Sequence, residues 1–147
     1  MAFDRHIKYW LPVILWMGVI FWMSTETFSA QNTSLIIEPV LRFLMPGISG
    51  QNIDMIHSLI RKFGHVTEYF ILGLILLRAF RAGSPKLWSW RWAFFAITVV
   101  LFYAVSDEFH QSLVSTRTAS IVDVGIDIAG GILAQAVCAL LQHRRQK

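Results

Sequence analysis

The chain has 147 residues, 55% of them hydrophobic, and a mean hydropathy of +0.54; soluble domains are less apolar, and the length suits a single domain. The formal charge is +4, but the basic residues divide by position along the chain, as set out below, so the excess is read as topology and not as nucleic-acid binding. One cysteine, Cys138, is present, which excludes an intrachain disulfide and a cysteine-based zinc site.

Four apolar stretches occur in chain order: Tyr9–Met23, Phe63–Phe80, Trp88–Val105 and Ile121–Leu141. Each is close to the ~17–25 residues that cross a bilayer as a helix, and none alternates at period two as a barrel strand does. The reading is an all-α membrane protein with four transmembrane helices, at about 9–24, 53–80, 88–111 and 119–142 of a single domain spanning 1–147. The first stretch has the charged flank of a signal peptide in Arg5 and Lys8. No small-x-small cleavage site follows it, so it is expected to be retained. Trp10 and the cluster Trp88, Trp90 and Trp92 suit one membrane interface, and Trp22 suits the other.

Residues 25–60 form the longest connection. Its segment "TSLIIEPVLRFLMPG" (33–47) is too apolar for a free loop and too short and proline-broken to span. An interfacial or re-entrant helix is expected there. Asn52 or Asp54 is the candidate cap of the helix running into the second span. The turn "RAGSPK" (81–86) makes the second and third spans antiparallel neighbours.

Charge sets the orientation. Arg5, Lys8, Arg78, Arg81, Lys86, Arg91, Arg144, Arg145 and Lys147 fall on one side, nine of the thirteen basic residues, while Arg42, Arg61, Lys62 and Arg117 fall on the other. Lys/Arg excess marks the cytoplasm, which places both termini there and makes anionic inner-leaflet lipid the partner of that flank. Of the acids only Asp4 is on the inner side.

The polar residues within the spans share one level. Arg61, His65, Glu68 and Leu72 are spaced by four, three and four and occupy one face of the second span, with Lys62 and Tyr69 beside it. The third span ends "YAVSDEFHQ", placing Tyr103, Asp107 and His110 or Gln111 on one face, with Glu108 about 100° away. The fourth begins "STRTASIVDVGIDIAGG", with Asp123 and Asp127 one turn apart. Ser24, Thr25 and Glu26 at the end of the first span join them. A charge held in hydrocarbon costs at least ~2.5–3.5 kcal/mol, so these groups are expected to face one another and water in a polar pocket open to the outside. The small residues Gly125, Ala129, Gly130, Gly131 and Ala134 are expected to let helices approach closely, and Gln135 to bond between helices.

Three kinds of chemistry are open to such a pocket. His65-x-x-Glu68 and Asp107-Glu108-x-His110 offer nitrogen and oxygen ligands that a divalent metal accepts, although no known metal motif is matched. Glu68 or Asp127, partnered by a histidine, suits general acid–base work, with Arg61, Lys62 and Arg117 holding an anionic group. A polar network that only orders the helices is the third. The candidate catalytic residues are Glu68, His65, Asp107, Glu108, His110, Asp123 and Asp127; the candidate substrate-binding residues are Arg61, Lys62, Tyr69, Gln111 and Arg117. Outside this set, His57 is expected to be interfacial or solvated.

"RKFGHVTEYFILG" (61–73), "SDEFHQ" (106–111) and "RTASIVDVGIDIAGG" (117–131), in this order, resemble the VanZ-like family of small bacterial membrane proteins, over residues 10–135. The family's polar positions fall on Arg61, Lys62, Gly64, His65, Glu68, Tyr69, Asp107, Glu108, His110, Gln111, Arg117, Asp123, Asp127 and Gly130. The chain departs from it at Ser24-Thr25-Glu26, where the family often has Ser-Ser-Gln, and at Ser115-Thr116, where it often has Pro-Gly. The resemblance implies a protein of the bacterial cytoplasmic membrane. The founding member is associated with resistance to the glycopeptide teicoplanin. The expected function is recognition or processing of an anionic amphiphile of the cell envelope, such as a lipid-linked wall precursor. The alternatives are lipid or antibiotic binding without turnover, or a structural network without a ligand.

Overall fold

The computed structural model describes residues 2–115 and 119–147, with side chains from His6 onward. Its helices are α1 (Ala2–Met23), α2 (Ala30–Leu44), α3 (Gly50–Arg81), α4 (Trp90–Ser112) and α5 (Ile121–Arg145), with a short 3-10 turn at Glu26–Phe28. Among the described residues, four helices are long and apolar enough to cross a membrane: α1, α3, α4 and α5. Apolar side chains on their outer faces, such as Ile14, Phe94, Phe102 and Phe109, are exposed and suit contact with lipid.

Serines start four of the helices. Ser29, Ser49, Ser89 and Ser120 are extended, and each side chain accepts from a backbone N–H in the first turn, which would otherwise be unsatisfied. Neither Asn52 nor Asp54 caps α3. Ser49 does so, and Asn52 is the residue whose N–H it receives. Helix α2 runs unbroken through Pro39 and has no buried residue. It lies on the outside of the bundle, with Leu35, Ile36, Phe43 and Leu44 exposed.

Antiparallel packing follows from the contacts at the ends. Arg78 near the end of α3 donates to the Lys8 carbonyl at the start of α1, and its guanidinium lies 5.1 Å from the centre of the Tyr9 ring. The Leu87 N–H before α4 donates to Gln142 near the end of α5, at 2.7 Å. These contacts gather the basic flank at one end of the bundle. The end of α1, the starts of α3 and α5 and the end of α4 meet at the other.

Glycines bring α5 close to both α3 and α4. A Cβ at Gly130 would stand 2.6 Å from the Val66 carbonyl oxygen, and one at Gly131 2.9 Å from a Val100 methyl. Gln135 donates to the Gly73 carbonyl at 3.0 Å. Gly125 is different: nothing lies within 4 Å of its Cβ position, and Ala129 is exposed, so neither marks a helix contact. The core runs through Ile20, Tyr69, Leu72, Leu76, Val100 and Ala104.

At 32 residues, α3 is about 48 Å long, well beyond the ~30 Å of a hydrocarbon core. If Phe63–Phe80 occupies the apolar layer, the turns from Gly50 to Lys62 stand in the headgroup region. On that placement the length of α3 carries its polar stripe up to water.

Candidate functional site

The polar residues fall into two tiers. The upper tier surrounds a cavity of 540 Å³ lined by Asp54, His57, Ser58, Arg61, Lys62 and His65 of α3 and by Ser120, Val122 and Asp123 at the start of α5. A second cavity, of 180 Å³, lies on the α1–α2 side and shares Arg61 and His65 with the first; Ser24, Thr33, Gly64 and Glu68 also border it. His65 and Arg61, one turn apart, thus form the wall between two hollows.

The lower tier is closed. Asp107 is 4% exposed and accepts from the Ser24 hydroxyl at 2.5 Å and from Gln111 Nε2 at 3.0 Å, so both carboxylate oxygens are satisfied. Asp127 is fully buried, and its Oδ1 lies 3.0 Å from Nδ1 of His65. Glu108 accepts from the Ser120 N–H at 2.7 Å, which ties the end of α4 to the cap of α5. Tyr69 is completely buried in the core beside Tyr103, whose hydroxyl donates to the Met17 carbonyl at 2.5 Å. The Trp16 ring N–H donates to the Glu68 carbonyl at 2.9 Å.

The structure therefore places His65, Asp123, Arg61 and Lys62 on the larger cavity and Glu68 on the smaller. Asp107, Glu108, Asp127, Tyr69 and Gln111 line neither of these two. The His110 ring stacks on Phe21, with centroids 4.3 Å apart, and also lines neither. Arg117 lies outside the described residues. The metal reading loses its geometry: among the described residues no three His, Cys, Asp or Glu side chains gather as an ion would need. His65 turns to Asp127, Asp107 to Ser24 and Gln111, and His110 to Phe21.

His57, expected to be interfacial or solvated, is not solvated. It is 9% exposed, borders the larger cavity, and its Nε2 lies 2.9 Å from the Thr33 hydroxyl of α2. That hydroxyl also donates to the Ser29 carbonyl, at 2.8 Å, an arrangement in which its oxygen can accept from His57. The signal was present in the sequence, because His57 precedes Arg61 by four and His65 by eight and so continues the same stripe.

Four apolar helices with a polar pocket at one end define a multi-pass membrane protein. The chain belongs to the VanZ/LLP1 family, whose model matches residues 9–142. No curated protein and no solved structure matches it.

Proposed function

We propose that the pocket faces the cell exterior and binds or processes an anionic amphiphile of the bacterial envelope, such as a lipid-linked wall precursor, with both chain termini in the cytoplasm. The carrying observation is the 540 Å³ cavity with Arg61 and Lys62 on one wall; with Phe63–Phe80 in the apolar layer, that wall stands at headgroup height. Cations at headgroup height attract phosphate or carboxylate while leaving the apolar chain in the bilayer. Asp54, Asp123, Ser58 and Ser120 supply acceptors and hydroxyls for the polar part of such a headgroup. At about 30 Å³ per water, the cavity has room for a head much larger than a bare phosphate. The positive flank at the opposite end supports the orientation. A role in glycopeptide resistance, as the resemblance suggests, would follow if the amphiphile were a wall precursor.

The lower tier favours a second, structural role for its own members. Ser24, just after α1, and Gln111 of α4 donate to the two oxygens of Asp107 out of reach of the larger cavity, and the Ser24 bond joins the ends of those two helices.

The test is binding. Purified protein in phosphatidylcholine nanodiscs is titrated with a polyprenyl phosphate and, separately, with the uncharged polyprenol. Selective binding of the phosphate, lost in Arg61→Gln/Lys62→Gln with unchanged melting, is expected. Equal binding of both lipids, or of wild type and variant, would remove the proposal.

A further inference from the structure

We propose that Asp127 positions His65 as the proton acceptor of a hydrolytic site, which cleaves the phosphate monoester of a long-chain alcohol. The inference rests on the reading that the pocket holds an anionic amphiphile, and it adds a reaction and a division of roles. Asp127 has no exposed surface and its Oδ1 meets His65 Nδ1 at 3.0 Å. Its other oxygen is buried without a hydrogen-bond partner among the described residues, so the histidine is its one polar contact there.

Packing fixes this pair. Gly130, three residues after Asp127, lies where a Cβ would stand 2.6 Å from the carbonyl oxygen of Val66, the residue after His65. The two backbones are thus held together at the register of the pair. A carboxylate on Nδ1 selects the tautomer with its hydrogen there and leaves the Nε2 lone pair free to accept. No described residue hydrogen-bonds Nε2, and His65 borders both cavities. Arg61 shares that wall, and Lys62 lines the larger cavity. An oriented base beside an anion clamp is the arrangement that hydrolysis by water requires.

In the step, a water oxygen forms a bond to phosphorus while Nε2 of His65 takes a proton from that water. The bond from phosphorus to the alcohol oxygen breaks. The proton on Nε2 then passes to the leaving alkoxide, and long-chain alcohol and inorganic phosphate are released. Water is the only co-reactant. Asp127 touches no reacting atom and is a positioning residue.

Two measurements test this. Nitrogen-15 NMR of histidine-labelled wild-type protein, with His65→Gln to assign the signal, is expected to show His65 protonated on Nδ1 and bare on Nε2 at neutral pH. Protonation of Nε2, alone or with Nδ1, would overturn the assignment, and this readout needs no variant of Asp127. The second uses phosphatidylcholine vesicles containing polyprenyl monophosphate, with released inorganic phosphate as the signal. Asp127→Asn is expected to lower kcat on the order of 10²-fold with KM unchanged, and Lys62→Gln to raise KM with kcat unchanged. Binding of the lipid without phosphate release would refute the hydrolysis and leave the binding proposal standing. Absence of binding by wild type would end both.

Discussion

Two glycines on α5 respond in opposite directions to the same change. Gly130 faces the Val66 carbonyl oxygen at a distance no methyl group tolerates, whereas Gly125 faces open space. Gly130→Ala is therefore expected to cost about 1–3 kcal/mol through overpacking. Gly125→Ala should stabilise by up to about 1 kcal/mol, because alanine is the better helix former. Thermal unfolding in the same detergent checks both. Ser24→Ala removes the hydroxyl that satisfies one oxygen of buried Asp107, with an expected loss of about 1–3 kcal/mol. Ser24→Thr, which keeps the donor, should recover part of it. At this scale the sequence is legible in part. Spacing puts His65 and Glu68 on one face, but the partner of His65 is Asp127, 62 residues away. Helical periodicity describes one helix, and the rotation of α5 that selects Asp127 over Asp123 is set by contacts such as Gly130 on Val66, which periodicity does not contain.

Among the elements, the four spans are legible because a long apolar run has one low-energy solution in lipid. The segment between α1 and α3 is harder to read. Pro39 suggests a broken piece, yet α2 is continuous from Ala30 to Leu44. Proline removes a single N–H donor, and Leu35, whose carbonyl that donor would have met, lies on the exposed face of the helix, away from the half-buried face of Thr33, Ile37 and Leu41. The cap of α3 is misread for a related reason: Ser49, Asn52 and Asp54 are all good cap residues, and the turn after Pro46 decides which is extended. Helix α2 is tied to α3 by the Thr33–His57 contact. Thr33→Val deletes the hydroxyl at constant volume. It should raise hydrogen exchange across Ala30–Leu44 and leave exchange in α3 below His65, and the melting of the bundle, unchanged. Equal protection of α2 in both proteins would show that the contact does not hold it.

For the molecule as a whole, the account depends on the bundle having two chemically different ends. One gathers the basic flank, and the other opens between α3 and α5 into a hollow lined by Asp54, His57, Arg61, Lys62, His65 and Asp123. Apolar length and charge asymmetry make the two ends legible in the sequence. The hollow itself is not, because it depends on how far α3 projects past the apolar layer and on the interhelical distance that the small residues permit. Both properties can be read in one experiment on whole cells. Cys138 is first replaced by alanine, and single cysteines are then placed at Ser58 and Val122, on opposite walls of the hollow, and at Ser84 in the turn at the basic end. The cells are treated with a membrane-impermeant maleimide. The account predicts that Ser58→Cys and Val122→Cys react in intact cells, and that Ser84→Cys reacts only after permeabilisation. Labelling of Ser84→Cys in intact cells, with Ser58→Cys and Val122→Cys protected until the membrane is opened, would contradict it.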